Sequence, residues 1–218
     1  GGSSPALTYR LSLSDLEAQA MEPGSSYNRQ TGNLSLRSVL GKRIIVESTL
    51  QYNVEKGKNR PGNGYADNTT SWATNLLANT VDIRDLAPGY DANFNEVQWQ
   101  QVPEAQNPYF VINRMGNTDT KNRFMGQASI QYNILDELSL KLSGMRDIDR
   151  FESMDYMPIG TAKRPRGLFN SGTSFVTKTT AQALLNYNKT FFEDFQISAM
   201  AGANLERNKS ESTSNTGA

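Results

Sequence analysis

Apolar and polar residues alternate along most of this chain, and the links between the alternating runs are themselves short and long in turn. From Leu7, apolar side chains fall on odd positions, Leu7, Tyr9, Leu11 and Leu13, with Thr8, Arg10, Ser12 and Ser14 between them. A period of two is that of a strand with one apolar and one polar face. The pattern resumes at Asn33–Arg37 and is clearest from Ile44 to Glu55. There Ile44, Val46, Leu50, Tyr52 and Val54 share a face, with Ser48 the one polar break, and Glu47, Thr49, Gln51 and Asn53 occupy the other. It returns over Phe124–Ile134, Leu138–Ser143, Ala181–Asn188 and Gln196–Glu206. About seven strands of ~10–13 residues are expected.

Gly41, Asp136 and Glu193 centre the short links. The long ones are Glu17–Ser26, Lys56–Lys121, Arg150–Lys178 and a polar tail after Asn208. All short turns then lie at one end of the sheet. That rhythm, with strands long enough for a tilted bilayer crossing, predicts an all-β fold: an antiparallel up-and-down transmembrane β-barrel segment with long extracellular loops. Arg10, Arg37, Glu47, Glu55 and Lys141 then face a wet lumen. Tyr9, Tyr52, Phe124, Tyr132, Tyr187 and Phe195 fall on the lipid side, as interfacial aromatics do. The alternative is a β-barrel or sandwich with its apolar face turned inward, serving as a soluble or surface-attached ligand-binding protein or adhesin.

The 218 residues carry 22 Lys+Arg and 22 Asp+Glu, a balance that argues against a basic nucleic-acid binder. There is no His and no Cys, which removes Ser-His-Asp and Cys-His catalysis, His- or Cys-ligated metals and disulfides. No run of ~18 apolar residues is present for a spanning helix. The first residues, Gly-Gly-Ser-Ser-Pro, show neither the basic nor the apolar part of a signal peptide.

Several stretches resemble SusC/RagA-like TonB-dependent transporters of Bacteroidetes. They are Thr8-Tyr9-Arg10-Leu11-Ser12-Leu13-Ser14 with the Gly-containing loop after it, Asn107-Pro108-Tyr109 ahead of Arg123-Phe124-Met125-Gly126, and the Ile134–Leu142 hairpin. The resemblance runs over about Ala6–Glu206. It implies that residues 1–218 are an interior part of a barrel of about 22 strands, with 56–121 as a long extracellular loop insertion. The plug, the TonB-binding segment and the closing strand are expected outside this stretch. It further implies import of oligosaccharides or peptides across the outer membrane, a SusD-like surface lipoprotein as lid, and a TonB complex acting through the plug. Outer-membrane lipid is the implied surrounding, and neither an enzyme activity nor a nucleic-acid partner is expected.

Within the long loop, Tyr65, Trp72, Tyr90, Trp99 and Tyr109 are the candidate solute-binding residues. Flat aromatics beside Asn, Asp and Arg both stack and hydrogen-bond, as sugar or peptide recognition requires. The alternative is that they form the loop's own small core. No catalytic residue, metal ligand or cofactor motif is assigned. The carboxylate pairs Asp82/Asp85, Asp147/Asp149 and Glu193/Asp194 read as solvated charges. Asp91–Asn95 opens like an EF-hand loop, but Glu96 stands where Gly is required and Val102 where the bidentate Glu belongs. Only a looser Ca²⁺ loop stays open there. Gly57–Gly64 lacks the Lys-Ser/Thr and following helix of a phosphate loop.

Overall fold

A computed structural model describes residues 1–62, 69–192 and 195–218, the side chains of 71–73 excepted. The strands are β1 (Gly2–Ser3), β2 (Leu7–Gln19), β3 (Ser26–Leu40), β4 (Ile44–Lys58), β5 (Gly116–Asn133), β6 (Leu138–Met157), β7 (Leu168–Phe191) and β8 (Phe195–Gly217). Between β4 and β5 lie α1 (Thr70–Leu76), a 3-10 turn (Ile83–Leu86) and α2 (Pro108–Arg114). The strands form a single sheet in sequence order, each antiparallel to the next, with β1 and β8 at its edges. This is an up-and-down meander that is not closed on itself.

Cross-strand register keeps the two faces apart. Leu11, Leu34 and Leu50 form one row, and Ile130, Leu142, Ala183 and Ala203 another. Thr8, Arg37, Glu47, Ser129 and Ser143 lie along one row of the opposite face. A one-residue slip would exchange the faces, so the alternation itself specifies the register. Residues 41–43 and 134–137 turn at one end, while 20–25, 59–115 and 158–167 connect at the other. Gly41 takes φ +62° in the first of these turns, a conformation that costs glycine little. The turn expected at Glu193, with the Glu193/Asp194 pair, lies outside the described residues.

The strands run further than alternation predicts. β5, β6, β7 and β8 have 18, 20, 24 and 23 residues, well beyond the ~9–11 of a bilayer crossing. The long connection is 59–115 rather than 56–121, and the break expected over 150–178 shrinks to 158–167. The polar tail after Asn208 is the outer half of β8, paired with β7 up to Phe169↔Gly217. In the outer parts of β5 and β8 both faces are polar, and in those of β6 and β7 apolar residues such as Phe151 and Val176 fall on either face, so the period-two signal disappears while the backbone ladder continues. Thr and Ser fill it there, as in Thr173↔Thr213 and Ser174↔Ser212.

The buried apolar core sits in the loops. Phe110, Val111, Met115 and Met157 cluster together, with Tyr90 and Leu168 packed against them. Phe110 and Val111 come from α2, which starts with Pro108 in its first turn behind the Asn107 cap.

Candidate functional site

Two surfaces carry the candidate residues: the polar face of the sheet and the loop module at its long-loop end. On the polar face, the Arg37 Nε lies 3.3 Å from Glu47 Oε1, and the Lys141 Nζ 3.7 Å from Glu47 Oε2. Strand pairing explains the first contact, since Arg37 and Glu47 are direct cross-strand partners. Arg10 lines the same concavity of about 370 Å³ as Arg37, Glu47 and Lys141. Four residues picked out by alternation thus converge on one polar depression.

Nearer the loops the same face carries further pairs. Arg123 Nε and Nη2 donate to both oxygens of Asp147 at 3.0 and 2.7 Å, and Lys121 lies 3.0 Å from Asp149. Lys178 lies 3.0 Å from Glu206. Charges of both signs are interleaved, so the wall presents neither a strong anionic nor a strong cationic field. Asp147 and Asp149 therefore act as ion-pair partners in this wall.

The loop module is held by Asn107 and Glu96. Asn107, fully buried, accepts from the Tyr109 N–H at 3.0 Å and donates from Nδ2 to the carbonyls of Leu86 and Val97, both at 3.0 Å. Glu96 accepts from the Asn107 N–H at 2.7 Å and, through its other oxygen, from the Ala162 N–H at 2.8 Å. Its own N–H donates to the Gly160 carbonyl at 2.9 Å. One carboxylate thus joins the 59–115 connection to the 158–167 connection. Burial pushes the Glu96 carboxyl above its ordinary range, against the two N–H donors, which favour the charged form. Gly89, at φ +90°, lets the chain pass against the Phe110 backbone, where a Cβ would collide with the Phe110 nitrogen.

Of the aromatic candidates, Tyr90 stacks on Phe94 with centroids 5.7 Å apart, and the Arg114 guanidinium lies 4.6 Å from the Phe94 ring centre. The Trp99 Nε1–H reaches the Gln106 carbonyl at 3.5 Å. Tyr109 is half-buried in the first turn of α2. Among the described residues no ring contact joins these three to one another. Tyr65 and the Trp72 side chain lie outside the described residues. Asp91 caps its own turn: Oδ1 accepts from the N–H groups of Asn93 and Asn95 at 2.9 and 2.8 Å. Asp82 does the same for the 3-10 turn through the Arg84 N–H. Among the described residues there is no group of three or more His, Cys, Asp or Glu side chains placed to hold a metal ion. Sequence reasoning missed Glu96 and Asn107 as the organisers of the loops. The Asn-Pro pair at 107–108 is a legible helix start, whereas a lone Glu in a polar loop carries no signal of burial.

No protein-family model and no curated protein sequence matches the chain. Solved structures do. Over 99% of its length the chain superposes on the RagAB peptide importer in its closed-closed state, with a TM-score of 0.75 at 15% identity. The open-open state of the same importer gives a TM-score of 0.75 at 16% identity, again over 99% of the chain. FpvA of P. aeruginosa, bound to a pyoverdine-iron complex, gives 0.62 at 10% identity over 96%. The chain therefore shares the fold of part of the β-barrel of these larger proteins. In each comparison the chain spans 24% of the larger protein.

Proposed function

We propose that this chain is wall and outer-loop structure of an outer-membrane, TonB-dependent nutrient importer of the SusC type. Its sheet contributes lipid-facing and lumen-facing surface, and the loop module contributes to the outer mouth. In this reading the solute is a peptide or an oligosaccharide, a SusD-like lipoprotein covers the mouth, and a TonB complex acts through a plug. No bond is made or broken in transport.

One observation carries the reading. Ile130 and Leu142, on interior strands of the sheet, are 51% and 50% exposed. Their row is continuous with other apolar rows, so the sheet presents an apolar face on which no described residue forms a second layer. Phe124 and Tyr132 lie on that face of β5 about 27 Å apart along the strand at ~3.4 Å per residue. At a barrel tilt near 40° that spans roughly 20 Å along the membrane normal, close to the ~25 Å band between aromatic girdles. Likeness to a peptide importer supports peptide over sugar as the first solute to test.

The test is a denaturing immunoblot of fractionated cells with an antibody raised against the 59–115 connection, followed by labelling of intact cells with the same antibody. An outer-membrane band several times heavier than this 24.2 kDa chain, accessible from outside, is expected. A band in the soluble fraction would contradict the proposal. Loss of growth on peptides, but not on free amino acids, in a deletion strain would then fix the solute class.

A further inference from the structure

The outward face has a charge feature that the lumen wall and the loops do not use. On β6 the apolar positions Leu138, Leu140, Leu142 and Gly144 are followed by Arg146. On β8 the series Phe195, Ile197, Ala199, Ala201, Ala203 and Leu205 is followed by Arg207. Arg146 pairs with Thr179 on β7, and Thr179 pairs with Arg207. The two arginines and the threonine between them therefore form one cross-strand row at the upper margin of the apolar belt, on its long-loop side. All three are exposed.

The next row toward the loops carries Ile148, Thr177 and Lys209, and the one after it Arg150, Phe175 and Glu211, so charges join the apolar residues from here outward. These charges are matched on their own strands: Lys209 lies 2.7 Å from Glu211, and Arg150 lies 2.5 Å from Glu152. Neither Arg146 nor Arg207 has an ion pair with any described residue. Their Cα atoms stand two strand spacings apart, roughly 10 Å. That separation lets two extended side chains converge on one small anion above Thr179. Two cations of like sign at the edge of a hydrocarbon layer repel each other and lose hydration, so an anion held between them removes both costs.

We propose that Arg146, Thr179 and Arg207 form an outward-facing site for the phosphate group of a membrane lipid whose acyl chains lie against β6–β8. This rests on the membrane-spanning reading given above. The guanidinium planes donate charge-assisted hydrogen bonds to phosphate oxygens, and the Thr179 hydroxyl supplies a third donor. The rows below it, Gly144, Ala181 and Leu205, then Leu142, Ala183 and Ala203, are wholly apolar and mostly small, a surface on which acyl chains can lie between the two leucines.

The test is native mass spectrometry of the intact protein, extracted in mild detergent and offered phosphatidic acid or diacylglycerol of the same chains. The wild-type protein should retain phosphatidic acid over diacylglycerol. R146Q/R207Q should lose that preference by at least about tenfold, the loss of one charge-assisted hydrogen bond, and R146K/R207K should keep part of it. Excess inorganic phosphate should compete poorly. Equal retention by the wild type and R146Q/R207Q, with both proteins folded and detergent-dependent, would overturn the phosphate site while leaving the membrane reading intact. Full competition by inorganic phosphate would overturn the lipid as its source. A protein that stays monomeric in water and retains neither lipid would overturn the membrane reading itself.

Discussion

Phe110 in the loop module is 0% exposed, while Ile130 in the middle of the sheet is 51% exposed. Both are large apolar side chains, and their sequence neighbourhoods are similarly polar. Phe110 is enclosed by Val111, Met115 and Met157, which the cap at Asn107 and the clasp at Glu96 bring together. Ile130 has cross-strand neighbours in its own layer and no described residue over it. The loop module therefore satisfies its apolar groups within the protein, as a small domain does, and the sheet leaves its apolar face uncovered by described residues. In the membrane-spanning reading one chain thus contains two cores of different kinds, one closed by side chains and one to be closed by lipid.

The largest expected effect breaks the first core. Phe110→Ala should cost about 3–5 kcal/mol, read as a drop in the urea midpoint of the loop's tryptophan fluorescence in the intact protein. The barrel's resistance to heat in detergent should not change. A barrel that loosens in step would mean that the two regions are not independent. Leu142→Arg attacks the second core. An arginine within the lipid-facing belt costs up to about 2–4 kcal/mol, seen as reduced folding into lipid vesicles, while Lys141→Arg one residue away should fold normally. Equal effects at 141 and 142 would remove the distinction between the faces.

Glu96→Ala strands the buried Asn107 N–H and the half-buried Ala162 N–H and should cost about 1–3 kcal/mol. Hydrogen exchange should accelerate at Asn107 and Ala162 together, because a single carboxylate holds both. A smaller effect is set by pH. Because the folded state raises the Glu96 carboxyl above its unfolded value, that state takes up its proton first as pH falls. The module should therefore gain stability as pH drops from neutral through the raised value, and lose it again as pH rises. The urea midpoint of the tryptophan signal, followed from neutral to weakly acidic pH in wild type and Glu96→Gln, should show this slope only in the wild type. The smallest effect belongs to Lys141→Gln. Its partner Glu47 is 3.7 Å away and both are well exposed, so the loss should stay below about 1 kcal/mol in barrel stability.

Alternation made the sheet legible because each strand has one face apolar and the other polar. Arg10, Arg37, Glu47 and Lys141 were assigned to one face from parity alone, and the register puts them there. Parity carried no information where both faces are polar. Residues 208–217 therefore read as a tail although they pair with β7. The loops were opaque for a different reason. Their order depends on contacts between distant segments, such as Glu96 with Ala162 and Asn107 with Leu86, and no local pattern encodes those. The aromatic residues were easy to notice in the loop, but their partners were not. Tyr90 stacks on Phe94, and Trp99 reaches a backbone carbonyl seven residues on.

The central claim is that the apolar face of the sheet meets lipid and the polar face meets water. Residues 1–218 contain no cysteine, so with any cysteine elsewhere in the intact protein replaced by serine, single cysteines at successive positions from 138 to 143 can each carry a spin label in membranes. Accessibility to oxygen should peak at Leu138, Leu140 and Leu142, and accessibility to a water-soluble nickel chelate at Ser139, Lys141 and Ser143. Loss of the period of two, or the opposite phase, would contradict the account.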